Sequence, residues 1–290
     1  MTKCCINENL NLFVFADDAK CLSIIKSSQD CVNLQSTLTS IENWSRVWQL
    51  PLALHKCQVM SFTGRNAHIS YKYSINNYTL SCVSTVTDLG IILSSDLTFD
   101  KQIDKVCCKA RSRSAMILKC FESRDKFLLF RAFTVYVRPI LEYCCNVWSP
   151  YRLSDIKKIE SVQRLFTKKL IGLKVISYPD RLKRLETESL EMRRIKCDLA
   201  MYFKILHETV DIPNCTLFQV RVVRTRSNGL TLYKDKFHSN QERYFFRNRC
   251  INIWNMLPQN VVCASNLSLF NTRLNALDLN SIICRASICS

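Results

Sequence analysis

The stretch that decides the reading of this chain is Leu10–Ile25, LNLFVFADDAKCLSII. Leu10 to Phe15 is a short apolar run rich in strand formers, and it ends abruptly at Ala16-Asp17-Asp18. Cys21 to Ile25 is a second run, so the two predict a β-hairpin with an acidic tip. Adjacent carboxylates at such a tip suit a hard divalent cation. Oxygen donors favour magnesium, and a turn can aim both side chains at one site, which a straight strand cannot. The competing reading is a solvated Asp-Asp turn.

Working outward, Ser27 and Ser28 stand where a helix cap belongs, with Asp30 in the first turn. Leu34, Leu38, Ile41, Trp44 and Trp48 follow at three- and four-residue steps, one apolar stripe on a helix that Pro51 stops. Leu52 to Phe62 and Tyr71 to Leu93 are strand-like, with Asn76-Asn77 as a turn between two runs. Residues 1–100 thus predict β-β-α-β-β-β. From Asp100 the pattern turns helical, over about 101–122, 125–136, 153–172, 179–186 and 188–208, broken at Pro139, Pro150, Gly172 and Pro179. Ser154 is the expected cap of the third helix. After Pro213 come a strand-like basic stretch (Val220 to Tyr233), an aromatic-basic helix from Glu242 to Leu257 ended by Pro258, and a last helix from Ser268 to Leu277. The expected fold class is α+β, in three regions: 1–100, 101–208 and 209–290.

Of the 290 residues, 48% are hydrophobic, enough to build a core and to exclude disorder as the main state. No apolar run reaches the ~18 residues that span a bilayer, and the N-terminus shows no secretory signal. The expectation is a soluble intracellular protein, cytoplasmic or nuclear or both. The 17 cysteines should then stay reduced. No two are separated by two residues, the spacing of a zinc pair, and the four histidines are scattered, so the thiols read as buried filler. Charge is placed unevenly. Residues 1–100 carry 7 basic and 8 acidic side chains, whereas 101–290 carry 34 and 16. A net +18 over the second part attracts polyanions, of which nucleic acid is the commonest in a cell. An acidic membrane surface is the rival partner, but no lipidation signal supports it.

The order strand, Phe15-Ala16-Asp17-Asp18, strand, long helix, Pro51, Leu54 to Met60 and Asp88-Leu89-Gly90-Ile91 resembles the second half of a reverse transcriptase palm. The likeness is to non-LTR (LINE-type) retrotransposon enzymes of the jockey-like group. It continues through Arg138 to Tyr143, Val147 to Pro150, Ile159 to Arg164, Lys168 to Gly172, Arg181-Leu182, Leu190 to Arg194 and Thr225-Arg226, and ends with Phe246 to Arg249 and Trp254 to Pro258. The resemblance implies an RNA-directed DNA polymerase that uses Mg2+, an RNA template and a DNA primer or target. Asp17 would be the direct metal ligand and Asp18 the supporting one. Lys56 would lie beside the incoming nucleotide, where a cation can neutralise or protonate the leaving pyrophosphate; otherwise it is a solvated surface lysine. Leu89 and Gly90 would form the primer grip, Gly90 letting the primer backbone approach; otherwise they make an ordinary bulge. Residues 101–208 would be a thumb tracking the duplex through its phosphates. Lys157, Lys158, Arg164, Lys168 and Lys169, lying largely apart from the Ile156, Ile159, Val162, Leu165, Phe166 stripe, and Arg221, Arg224, Arg226, Arg243, Arg247 and Arg249 are the candidate nucleic-acid contacts. Tyr244, Phe245 and Phe246 are either stacking groups or core.

Two-metal nucleotidyl transfer needs a further aspartate on a separate strand upstream of the hairpin. Sixteen residues precede Asp17, and Asp30, Asp88, Asp96 and Asp100 sit in contexts that offer no substitute. The resemblance therefore implies part of a polymerase: half a palm, a thumb and a basic tail, with an open palm edge that invites self-association. The alternative is a non-catalytic nucleic-acid-binding relic or co-opted binding module.

Overall fold

A computed structural model describes residues 10–62, 69–212, 217–221 and 230–288. The chain divides into two compact units, Met1–Thr98 and Phe99–Ser290.

In the first unit, β1 (Leu10–Phe15) and β2 (Asp18–Ser23) pair antiparallel with Phe15 opposite Asp18, which leaves Ala16 and Asp17 as a two-residue turn. Helix α1 (Ser28–Val47) opens on a reciprocal capping box. The Ser27 hydroxyl accepts the Asp30 N–H, and the Asp30 carboxylate accepts the Ser27 N–H at 2.8 Å. The remaining strands are short: β3 (Gln58–Val59), β4 (Ser74–Ile75), β5 (Tyr78–Thr79), β6 (Ser81–Cys82), β7 (Thr85–Asp88) and β8 (Ile91–Ser94). The expected antiparallel sheet is not continuous among the described residues. It consists of the hairpins β1–β2, β4–β5 and β7–β8 and a parallel pair β3–β6. Leu54–Lys56, expected within a strand, is a single 3-10 turn. Helix α1 is fixed to β4 by the Gln35 amide, which donates to the Ser74 carbonyl at 2.8 Å and accepts its N–H at 3.0 Å. Cys31, Tyr73, Ile75 and Leu80, with Leu34 and Leu38 against them, make a small core. The apolar stripe outruns that core, and its last member, Trp48, is exposed.

The second unit is helical: α2 (Asp100–Cys120), α3 (Lys126–Tyr136), α4 (Arg138–Glu142), α5 (Cys145–Trp148), α6 (Leu153–Lys168), α7 (Tyr178–Arg184) and α8 (Leu190–Leu206), then short helices from Asn240 to Ile288. Pro139, expected as a break, lies in the first turn of α4, where its missing N–H has no partner to lose. Ser154 does not cap α6; the cap residue is Arg152, which makes an ion pair with Asp100 instead. Leu165, assigned to the apolar stripe, is exposed, while Glu160 and Gln163 are buried. The expected helix from Glu242 to Leu257 is three short pieces, because the Asn248 amide donates to the Glu242 carbonyl at 2.8 Å and takes the place of the helical bond. Described residues between 217 and 286 share a core with α8: Leu199, Tyr202, Phe203 and Leu206 pack with Trp254, Val262, Phe270 and Leu274.

Two buried carboxylates tie this unit together. Glu160 of α6 accepts the Tyr178 hydroxyl and the N–H groups of Leu190 (3.2 Å) and Glu191 (3.3 Å), donors that the first turn of α8 cannot satisfy itself. Asp198 of α8 receives Arg249 in a bidentate pair (2.6 and 2.8 Å) and the Asn146 amide at 2.8 Å. Burial alone would lower the Arg249 pKa, but Asp198 more than offsets this and raises it. Arg194 is the counter-example. It is buried, its two terminal nitrogens have no hydrogen-bond partner among the described residues, and burial lowers its pKa.

Asp198→Ala should therefore lower the unfolding free energy by about 3–5 kcal/mol, because it strands a buried guanidinium. Arg194→Met should cost less than about 1 kcal/mol or stabilise the fold, since it removes a charge whose desolvation is poorly offset. Urea titration of both variants checks this, and an equally large loss for Arg194→Met would refute it.

Candidate functional site

The first unit presents the acidic hairpin. Ala16 adopts φ +52° at the turn, and Asp17 and Asp18 are both exposed. The second candidate motif is also a hairpin tip. Asp88 pairs with Ile91 across β7–β8, and Leu89 and Gly90 are the two turn residues at φ +45° and +85°. Positive φ at both positions is the turn that matches the twist of a two-residue hairpin; glycine adopts it freely and leucine does not. An ion pair from Lys20 of β2 to Asp88 joins the two hairpins. The candidate metal ligands and the candidate primer grip, about 70 residues apart in sequence, thus lie on linked hairpins. Lys56 ends the 3-10 turn in the same unit and is exposed. Among the described residues no hydrogen bond or ion pair joins it to Asp17 or Asp18.

The hairpin's oxygen donors suit one hard cation such as magnesium. Among the described residues no three His, Cys, Asp or Glu side chains converge to hold a metal. The other aspartates considered have different employment. Asp30 caps α1, Asp88 holds Lys20, Asp96 accepts the Thr98 N–H at 3.0 Å, and Asp100 pairs with Arg152 at 3.2 Å.

The basic candidates in the second unit divide into three groups. On α6, Lys157, Arg164 and Lys168 fall within about 40° of one another around the helix axis and are exposed, and Lys169 follows them. Arg164 lies over the Tyr178 ring at 4.9 Å. A second group is already engaged: Lys158 pairs with Asp104, Arg247 with Asp235 at 3.8 Å, and Arg249 is buried against Asp198. Arg249 is thus a fold-holding residue, not a surface contact. In the third group, Arg221 and Arg243 are exposed, whereas Arg224 and Arg226 lie outside the described residues. Of the aromatics, Phe246 packs edge-on against Tyr202 at 5.2 Å, Tyr244 stacks on Tyr151, and Phe245 is exposed. The reading of α6 missed α2, where Lys101, Lys105, Lys109 and Arg113 are exposed at four-residue steps. That spacing was visible in the sequence.

No family model matches the chain, and no solved structure matches it. It is 30% identical over 132 residues to an uncharacterized protein of Caenorhabditis elegans, an alignment covering 44% of this chain and 67% of that protein. It is 24% identical over 165 residues to a probable RNA-directed DNA polymerase from transposon X-element of Drosophila melanogaster. To the RNA-directed DNA polymerase from mobile element jockey of the same species it is 24% identical over 169 residues. The chain is a relative of retrotransposon RNA-directed DNA polymerases. It also belongs to one family with the nematode protein. The alignments take in 56% and 57% of this chain but only 18% of each of these two polymerases. No helix among the described residues is long and apolar enough to cross a membrane.

In this polymerase relative Leu89 is one of several non-glycine residues held in the left-handed region, and it lies at a candidate site. Leu89→Asn should raise the unfolding free energy by about 0.5–1 kcal/mol, because asparagine adopts the left-handed region more readily than leucine. Thermal unfolding checks it, and a lower Tm would show that the exposed Leu89 side chain contributes more than its backbone costs.

Proposed function

We propose that this chain is the C-terminal part of a non-LTR retrotransposon reverse transcriptase: a piece of the palm, a thumb-like helical region and a basic C-terminal region. Its role is to hold an RNA template and a DNA primer or target, not to catalyse extension by itself. The observation that carries this reading is the Lys20–Asp88 ion pair, which joins the Phe15-Ala16-Asp17-Asp18 hairpin to the Asp88-Leu89-Gly90 hairpin. A polymerase requires its metal ligands and its primer contact to be neighbours. Asp17 and Asp18 would hold one Mg2+, which would supply neutralisation of phosphate charge there. Lys56 would add a cation for the leaving group, and Gly90 an approach for the primer backbone. The exposed basic face of α6, with Arg221 and Arg243, would meet phosphates.

A second reading, a binding module without catalysis, is favoured by the carboxylate count at the hairpin. Phe13, Val14 and Phe15 on β1 are exposed in a two-stranded sheet, which favours self-association along that hairpin or cover by another protein segment.

The purified chain should bind RNA and duplex DNA with little sequence preference. Affinity should fall about a hundredfold or more between ~50 and ~200 mM salt if about six phosphates are contacted. Neutralising Lys157, Arg164, Lys168 and Lys169 together should flatten the salt dependence. Filter binding that shows no retention at low salt would sink the proposal.

The chain alone should not extend a primer on an RNA template with magnesium or manganese. Two carboxylates from one hairpin hold one ion weakly and give the second no bridging ligand. Extension that Asp17→Asn abolishes would overturn this and would mean that another carboxylate completes the site.

A further inference from the structure

Two features of the second unit lie side by side and are not used by the α6 face. The first is a cleft of about 480 Å³ lined by Lys234, Phe237, His238, Ser239, Asn240 and Arg243, with Asp235 at its wall. The cleft is shallow and open to solvent. The second is a ladder of planar groups. Tyr151 and Tyr244 stack with centroids 4.4 Å apart and planes 5° from parallel. Arg152 lies over Tyr151 at 5.8 Å and Arg243 over Tyr244 at 5.6 Å. Arg243 belongs to both features, so the cleft and the ladder form one strip.

Arg152 at the ladder end is paired with Asp100, but the cleft end carries two unpaired cations. Neither Lys234 nor Arg243 makes an ion pair among the described residues, and Asp235, the acidic group of the wall, is turned to Arg247 at 3.8 Å. The Phe237 ring is only partly buried, and the Lys234 ammonium lies 5.9 Å from its centroid, at the limit of a cation–π contact. An aromatic face beside separated cations matches a ligand with planar rings and spaced phosphates. A duplex keeps its bases stacked inside, so such a cleft suits an unpaired strand.

We propose that this strip is a seat for single-stranded nucleic acid, in which Phe237 stacks one base, Lys234 and Arg243 hold the adjoining phosphates, and the Tyr151–Tyr244 ladder continues the track. This rests on the nucleic-acid reading above and adds to it the strand type and the place. Unpaired template beyond a primer terminus, or a displaced target strand, has the required chemistry.

The test uses the full chain, with fluorescence anisotropy on a labelled single-stranded RNA and a labelled DNA duplex. Phe237→Leu, which keeps the bulk but removes the π face, should weaken single-strand binding about tenfold and leave duplex binding within about twofold. Lys234→Gln with Arg243→Gln should lower the slope of log affinity against log salt by about one to two. Photo-crosslinking of the unaltered chain to 4-thiouridine RNA should label the peptide 234–244, a readout independent of variant folding. Retained RNA binding with no effect of Phe237→Leu, or crosslinks only outside 234–244, overturns the seat and leaves the nucleic-acid reading standing. No binding to either nucleic acid overturns both. Full competition by inorganic phosphate, or preference for a phosphotyrosine peptide over RNA, overturns the seat by showing an anion site of another kind.

Discussion

The second unit depends on one carboxylate kept almost dry. Asp198 is 3% exposed at its side chain, and it is tolerable there because Arg249 meets it with two bonds and Asn146 with a third. Each partner comes from a different part of the chain: Asn146 from α5 and Arg249 from the turns after residue 239. Arg249 also donates to the Asn146 carbonyl at 2.7 Å, which closes the network on itself. Positions about 100 residues apart are thereby fixed to the middle of α8. The aromatic cluster of Tyr202, Phe203, Trp254 and Phe270 fills the space beside it. Glu160 does the same work at the other end of α8 by accepting its first N–H groups.

This changes how the basic charge should be read. A count of lysines and arginines treats each as a free cation on a surface. Arg249 is removed from that count by burial, Arg193 by its bidentate contact with Glu142, and Lys158 and Arg247 by carboxylate partners. The exposed basic side chains are geometrically ordered: one stripe on α6, four-residue steps on α2, and Lys236 to Arg243 in the C-terminal region. Several residues of the motifs singled out between Arg138 and Arg194 hold the helices together. Glu142 meets Arg193, Glu160 meets the start of α8, and the Trp148 indole donates to the Tyr143 carbonyl at 2.8 Å.

The features legible in the sequence were those with local causes. Asn76 and Asn77 at φ +50° and +59°, the Ser27–Asp30 box and the Asp17 turn each depend on residues next to one another. The features that were not legible depended on side-chain contacts that periodicity does not reveal. Asn248 diverts the Glu242 carbonyl and breaks a helix that periodicity alone supports. Leu279–Ile288 contains Ser, Asn, Cys and β-branched Ile, weak helix formers, and is helical because Leu279, Ile282 and Ala286 enter the common core. The buried positions of Glu160 and Gln163 could not be seen either, since their partners lie on α7, at Glu188 and on α8.

The candidate site shows the same division in reverse. Its turns are local and were readable, but the contact that relates them is not: Lys20 and Asp88 are neighbours only once both hairpins exist. That ion pair is half-exposed and contributes little stability by itself. Its consequence is positional. It links the acidic tip to the Leu89-Gly90 tip. As proposed, two carboxylates at one tip would attract one cation, and fixing two ions at a set separation would need further ligands. The binding surfaces proposed for the second unit need no such completion, because each is made from groups within that unit.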